Sequence, residues 1–198
     1  MNLEKLIEFS KLITAFQKIE RALYNPGTDR HENDVEHSYH LAMTAWYLID
    51  SEKLDLDLSL VLKYALAHDL VEVHAGDTFV FTEDTAHLES KHARELAAAK
   101  QLGKEFPEFS DMHMIIEGYE KRESREAKFV YALDKILPIL INYEDKGRAW
   151  KEHGVTLEKI KGEKLNKVAL SPEVVPYFDA LIELLTKDED QIFNPPQD

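Results

Sequence analysis

A histidine and an aspartate stand side by side in the run YALAHDLVEVHAGD, inside a stretch whose apolar residues recur at helical spacing. Leu58, Leu62, Ala65, Asp69 and Glu72 follow one another at intervals of four, three, four and three residues, the rhythm of a helix face turned towards a core. Two carboxylates therefore fall on the stripe that should be buried, and His68 lies on its flank. Water is the cheaper home for such groups unless a partner offsets their charge. Any fold that accepts this segment must bring that partner to it.

The rest of the chain keeps the same period. Only 7 Gly and 7 Pro interrupt 198 residues, and no segment shows convincing strand alternation, so the expected class is all-α. Leu6, Phe9, Ile13, Phe16 and Leu23 predict a first helix over about 3–24, and NPGTDRHEN reads as a turn. A second helix is expected from an N-cap at Asp34 to about Asp50, and a third from about Leu56 to Val73, with Gly76 at its end. Further helices are expected over roughly 85–104, 108–119, 124–147, 155–165 and 172–187. Residues 1–188 are assigned to one domain, and 189–198 to a frayed tail.

Composition narrows the function classes. A formal net charge of −14 repels nucleic-acid backbones, and no basic stripe overrides it. No apolar run reaches the length of a membrane span, and the acidic, amphipathic N-terminus lacks the apolar block of a signal peptide. The chain has no cysteine, which fits a cytoplasmic enzyme and leaves His and carboxylates to hold any metal.

Two further helices carry polar residues on apolar stripes. Asp134 takes its place among Val130, Leu137 and Ile141, and His37 falls on the row of Leu41, Thr44 and Leu48. Three helices thus send His37, His68 with Asp69, and Asp134 towards one interior. A divalent cation offsets the carboxylates, while neutral imidazoles add nitrogen lone pairs without charge. This mixed donor set suits Mn, Fe, Co, Ni or Zn better than an all-oxygen calcium site would. The bland alternative is an ordinary ion pair, for which Lys135 or Arg125 stands close to Asp134 in sequence. The histidines at 31, 40, 74, 87, 92, 113 and 153 have no comparable support.

The segments RHENDVEHSYHLA, YALAHDLVEVHAGD and EAKFVYALDKI, in the order H…HD…D, resemble the HD-domain metal-dependent phosphohydrolases. ENDVEHS, the Glu and Asp three and eight residues beyond Asp69, and an arginine on the expected first helix are similar to the branch containing the bacterial 5′-deoxynucleotidases. The resemblance spans roughly residues 10–145. It implies an HD-domain helical bundle with additional C-terminal helices. His37, His68, Asp69 and Asp134 would hold one divalent transition metal. Glu72 would handle protons, Asp77 would orient substrate or water, and Arg21 would grip the phosphate of a nucleoside 5′-monophosphate. A homodimer is implied by the same analogy. This chain departs from that branch at Ala22, where the relatives place an aromatic beside the sugar; Tyr24 or Phe16 would have to replace it. Three rivals stay open: an HD hydrolase of another small phosphate ester or nucleoside analogue, a non-catalytic nucleotide-binding module, and a structural metal domain.

Overall fold

A computed structural model describes residues 2–195, and within them eleven helices and one two-stranded sheet. Helix α1 (Leu3–Phe16) is followed by the antiparallel strands β1 (Glu20–Tyr24) and β2 (His31–Asn33). Then come α2 (Asp34–Ser51), α3 (Leu58–Ala67), the short α4 (Glu72–Ala75), α5 (Thr85–Glu105) and α6 (Ser110–Lys121). The chain continues as α7 (Arg125–Glu144), α8 (Arg148–Glu152), α9 (Leu157–Val168), α10 (Val175–Lys187) and α11 (Glu189–Ile192). The expected mostly helical class is observed. Among the described residues no helix is long and apolar enough to cross a membrane.

Helix α7 is the central element. Phe129, Val130, Leu133 and Leu137 are fully buried on it, and α2, α3, α9 and α10 pack around it. Pro138 lies inside α7. Its missing N–H leaves the Asp134 carbonyl without its usual helical donor. A second apolar cluster joins α1, α5 and α6 through Leu12, Phe16, Leu102, Met112 and Ile116.

Local chemistry explains the boundaries. The side chain of Asn33, rather than Asp34, caps α2: it accepts from the backbone N–H of Val35 and Glu36, while Glu36 reaches back to the Asn33 N–H. The first expected helix stops at Phe16, and Arg21 lies on β1 instead. Strands of five and three residues with an irregular register are too short to show alternation. Between them, Gly27 takes a φ of 75° in the Pro-Gly turn.

The third expected helix ends early, at Ala67. The next residues tighten into i to i+3 hydrogen bonds, Leu70 N–H to Ala67 O at 3.2 Å and Glu72 N–H to Asp69 O at 2.8 Å, before α4 begins. Gly76 does close that helix, with a φ of 74° and its N–H on Glu72 O.

Residues 189–193 are ordered against the domain: α11 occupies the start of the expected tail. Ile192 and Phe193 are buried, and the Phe193 ring stacks on Trp150 at 5.2 Å between centroids. The aromatic contact outweighs the acidic, polar composition that suggested a tail; residues 196–198 lie outside the described part.

Candidate active site

The residues singled out from the sequence converge on one cavity of about 490 Å³, a size that suits a small ligand. Arg21, His68, Asp69, Glu72, Asp77 and Asp134 line it, and His37 lies behind them, fully buried. His37 comes from the first turn of α2, His68 and Asp69 from the end of α3, and Asp134 from the middle of α7.

Distances within the cluster are short. His37 Nε2 is 2.9 Å from Asp134 Oδ1 and 3.9 Å from Asp69 Oδ2. His68 Nε2 is 3.0 Å from Asp69 Oδ2 and 3.9 Å from Asp134 Oδ1. The two imidazole rings are 5.3 Å apart. His37, His68 and Asp69 present ligand atoms all within 4.8 Å of one another, as do Asp34, Asp69 and Glu72.

Tautomers decide what this arrangement needs. His68 Nδ1 is 2.9 Å from the carbonyl of Ala65, which can only accept, so Nδ1 carries the proton. Its Nε2 is buried and lies 3.0 Å from Asp69 Oδ2. A protonated ring would place a proton between the two atoms; in a neutral ring a cation would take that place. His37 differs: burial first, then the Arg21 charge, push its ring down to about 4, so it stays neutral, with Nε2 on Asp134 Oδ1 at 2.9 Å and Nδ1 buried without a hydrogen bond. Burial also opposes charge on His68, where Asp69 is the main influence holding the ring above its ordinary value.

The charge balance points the same way. Among the described residues, Glu32, Asp34, Asp69, Glu72, Asp77 and Asp134 meet Arg21, Lys91 and Lys135 as their close cations. Burial pushes the Glu32 and Asp34 carboxyls up to about 7. Glu72 rises well above the usual carboxylate range, through burial and then the charges of Asp69 and Asp77. Asp77 is also raised, chiefly by burial. These residues fit a divalent metal: it would relieve the carboxylate excess and be met by imidazole and carboxylate ligand atoms within 4.8 Å of one another.

The bland expectation for Asp134 holds in part. Lys135 pairs with its Oδ2, which leaves Oδ1 towards His37, whereas Arg125 goes to Glu173 at 2.9 Å. Arg21 is less free than the sequence suggested. Its Nη1 is 3.1 Å from Asp69 and 3.3 Å from Asp34, and its Nε faces Glu32 at 3.3 Å. Glu72 is held by Lys91 of α5 at 3.3 Å, and Lys91 also pairs with Glu95 at 2.7 Å. The loop carrying Asp77 is pinned by Arg94, whose Nη2 donates to Thr78 Oγ1 at 2.7 Å and to the His87 carbonyl at 3.1 Å.

Sequence reasoning missed Glu32, Asp34 and Lys91. Asp34 sits in ENDVEHS but was read as a cap, and Glu32 lies on a strand too short to show a pattern. Ala22 does line the cavity. Neither proposed replacement for an aromatic there is available. Tyr24 lies under the Arg148 guanidinium at 3.7 Å and against His31 at 4.2 Å, and Phe16 is buried in the α1–α5–α6 cluster.

Comparison with known proteins places this geometry. The HD domain family model matches residues 14–174. The 5′-deoxynucleotidase HDDC2 of Homo sapiens is 33% identical over 146 residues, covering 71% of this chain and 69% of that protein. The Xenopus laevis protein of the same name is 30% identical over 190 residues, covering 91% and 87%. A crystal structure described as a predicted metal-dependent phosphohydrolase from Magnetospirillum magnetotacticum superposes with a TM-score of 0.82 at 32% identity, covering 98% of this chain and 96% of that one. The chain belongs to the HD domain family.

Proposed function

We propose that this protein is a metal-dependent phosphomonoesterase that removes the 5′-phosphate from nucleoside 5′-monophosphates. The observation that carries the chemistry is the convergence of His37, His68 and Asp69, whose ligand atoms lie within 4.8 Å of one another beside Asp134, on the wall of a cavity that suits a small ligand. The substrate class is supported by similarity to proteins named 5′-deoxynucleotidase.

In this reading His37, His68, Asp69 and Asp134 hold one divalent transition metal. A cation bound there supplies Lewis acidity towards phosphoryl oxygens and makes water easier to deprotonate. The protein supplies the rest. Glu72, raised by burial and steadied by Lys91, takes a proton from the attacking water or returns one to the leaving 5′-oxygen. Asp77 orients the water or the sugar from its pinned loop. Arg21 holds Asp69 in place through Nη1, and Nη2 remains to meet a phosphate oxygen. Phe79, Phe81 and Tyr131 offer apolar surface in the same cavity for the nucleoside. The intact Glu72 and Asp77 favour turnover over a binding-only module.

The test is phosphate release from a panel of nucleoside 5′-monophosphates, with and without added Mn or Co. Metal-stimulated release supports the enzyme. Nucleotide binding without release would support the regulatory module instead.

We also propose a cytoplasmic homodimer. Tyr39, Met43, Trp46 and Tyr47 leave a largely exposed aromatic and thioether face on α2, a surface of the kind buried between subunits. Light scattering on the native chain and on Trp46→Asp tests it; a monomer in both excludes the dimer.

A further inference from the structure

Six basic side chains line the cavity: Arg21, Lys91, Arg122, Lys135, Lys164 and Lys167. Four of them are paired with carboxylates: Arg21 with Asp69, Lys91 with Glu72, Lys135 with Asp134 and Lys167 with Glu163. Arg122 lies over the Tyr131 ring at 4.6 Å. Lys164 differs from all of them. It is only 6% exposed, and among the described residues it has no hydrogen-bond or ion-pair partner. Its Nζ lies over the Phe81 ring, 5.8 Å from the centroid, a cation–π contact.

Its position is dictated by α9. Leu157, Ile160, Lys164 and Val168 are the buried residues of that helix, at intervals of three, four and four. Lys164 thus occupies a core position on the stripe that packs α9 against α7, the helix that carries Asp134 and Lys135. Burial, and then the neighbouring Lys135 charge, push its ammonium down to about 7. A helix that gained nothing from a charge there would carry an apolar residue, since a largely buried ammonium without an ion-pair partner is destabilising.

We infer that Lys164 binds the phosphate of the substrate, contacting its oxygens from α9 as a cation held in no ion pair. This rests on the phosphomonoesterase reading for the identity of the substrate, though not for the chemistry of the subsite. A dianionic phosphate offsets both the buried Lys164 charge and its repulsion with Lys135. A neutral acceptor on a nucleobase would offset neither. Lys164 therefore complements Arg21, whose charge Asp69, Asp34 and Glu32 already share.

Inorganic phosphate is the probe, with affinity measured by calorimetry on the purified, metal-supplemented protein. Lys164→Met preserves length and packing, and should weaken phosphate binding about ten- to a hundredfold, the scale of a lost charged hydrogen bond. Lys164→Arg should stay within a few-fold of the native chain. Melting temperatures give a second readout that a merely structural lysine would not. Without phosphate, Lys164→Met should melt no lower than the native protein, and added phosphate should raise the native melting temperature more than that of the variant. Equal phosphate affinity in the native and Met proteins overturns the inference. So does a Met variant that fails to fold, because a lysine needed for packing is not a charge held for a ligand. A change confined to nucleotide KM, with phosphate affinity intact, also overturns it and moves Lys164 to the nucleoside. The two readings fail separately. Phosphate binding through Lys164 without nucleotide hydrolysis leaves the subsite standing, whereas hydrolysis with an indifferent Met variant leaves only the activity.

Discussion

Along α7 the interior is built in two ways. Phe129, Leu133, Ile136 and Leu137 are closed into apolar neighbours, and each such side chain stabilises the fold by about 1.5–3 kcal/mol through burial. Asp134, on the same helix, is 5% exposed and faces His37, His68 and a group of other carboxylates. The apolar part is satisfied by the protein alone. The polar part is not: Glu32, Asp34, His37, His68 and Glu72 each leave a buried polar atom without a hydrogen bond. The contrast teaches that the apolar interior is complete within the protein, while the polar interior keeps unmet hydrogen-bonding capacity beside the cavity. Substitutions should therefore separate cleanly, with stability lost from one region and chemistry from the other.

The largest separation is expected at Glu72. Glu72→Gln keeps its shape and a hydrogen bond to Lys91, so metal content and melting temperature should hold. Turnover should fall by roughly 10²–10⁴-fold, the usual share of a positioned proton-transfer group. Near-native turnover in a metal-loaded variant would remove Glu72 from the chemistry.

Phe129→Ala probes the opposite region. Truncating this fully buried ring should lower stability by about 3–5 kcal/mol, measured by denaturant unfolding, while metal content per folded chain stays unchanged. Loss of metal from the folded variant would show that the two interiors are not independent.

A smaller effect is expected at Ala22, on the cavity wall. Neither Tyr24 nor Phe16 crowds the space beside it. A roomy wall rejects an added hydroxyl weakly, so kcat/KM for dAMP and AMP should differ by about 10²-fold or less. A stronger deoxy preference would mean that another cavity residue, such as Phe79, Phe81 or Tyr131, crowds the sugar.

The smallest effect lies in an ordinary surface pair. Burial raises the Glu173 carboxyl, but hydrogen bonds from Ser171 and Arg125 outweigh it and hold the group below its usual 4.5. A depressed carboxyl contributes stability above its unfolded value and loses it as pH falls through the folded one. Glu173→Gln should therefore reduce stability by less than about 1 kcal/mol at pH 7, Arg125 being largely exposed. That difference should vanish as the pH drops well below 4.5. A gap that persists in acid would assign the loss to packing.

The two interiors were not equally legible in the sequence. The apolar stripes carried the long helices, and the same stripes exposed His37, Asp69, Glu72 and Asp134 as polar residues in core positions. What escaped was local. The β1–β2 hairpin is too short for alternation, so Arg21 was placed on a helix and Glu32 was not noticed. The end of α3 depends on i to i+3 bonds that periodicity does not register. Lys164 stands on the α9 stripe as plainly as Asp134 does on that of α7. The five charged residues around it in LEKIKGEKLNKV mask that position in the sequence. The docking of Phe193 on Trp150 is a tertiary contact between residues 43 apart, with no local signal.

Metal stoichiometry tests the central claim most directly. Elemental analysis of the native chain and of Asp69→Ala should find one divalent cation per native chain and little in the variant. Asp69→Ala removes a ligand and a negative charge together, and Arg21 is then left beside the site with one fewer carboxylate. Full metal occupancy in a folded Asp69→Ala protein would contradict the assignment of His37, His68, Asp69 and Asp134 as the metal site.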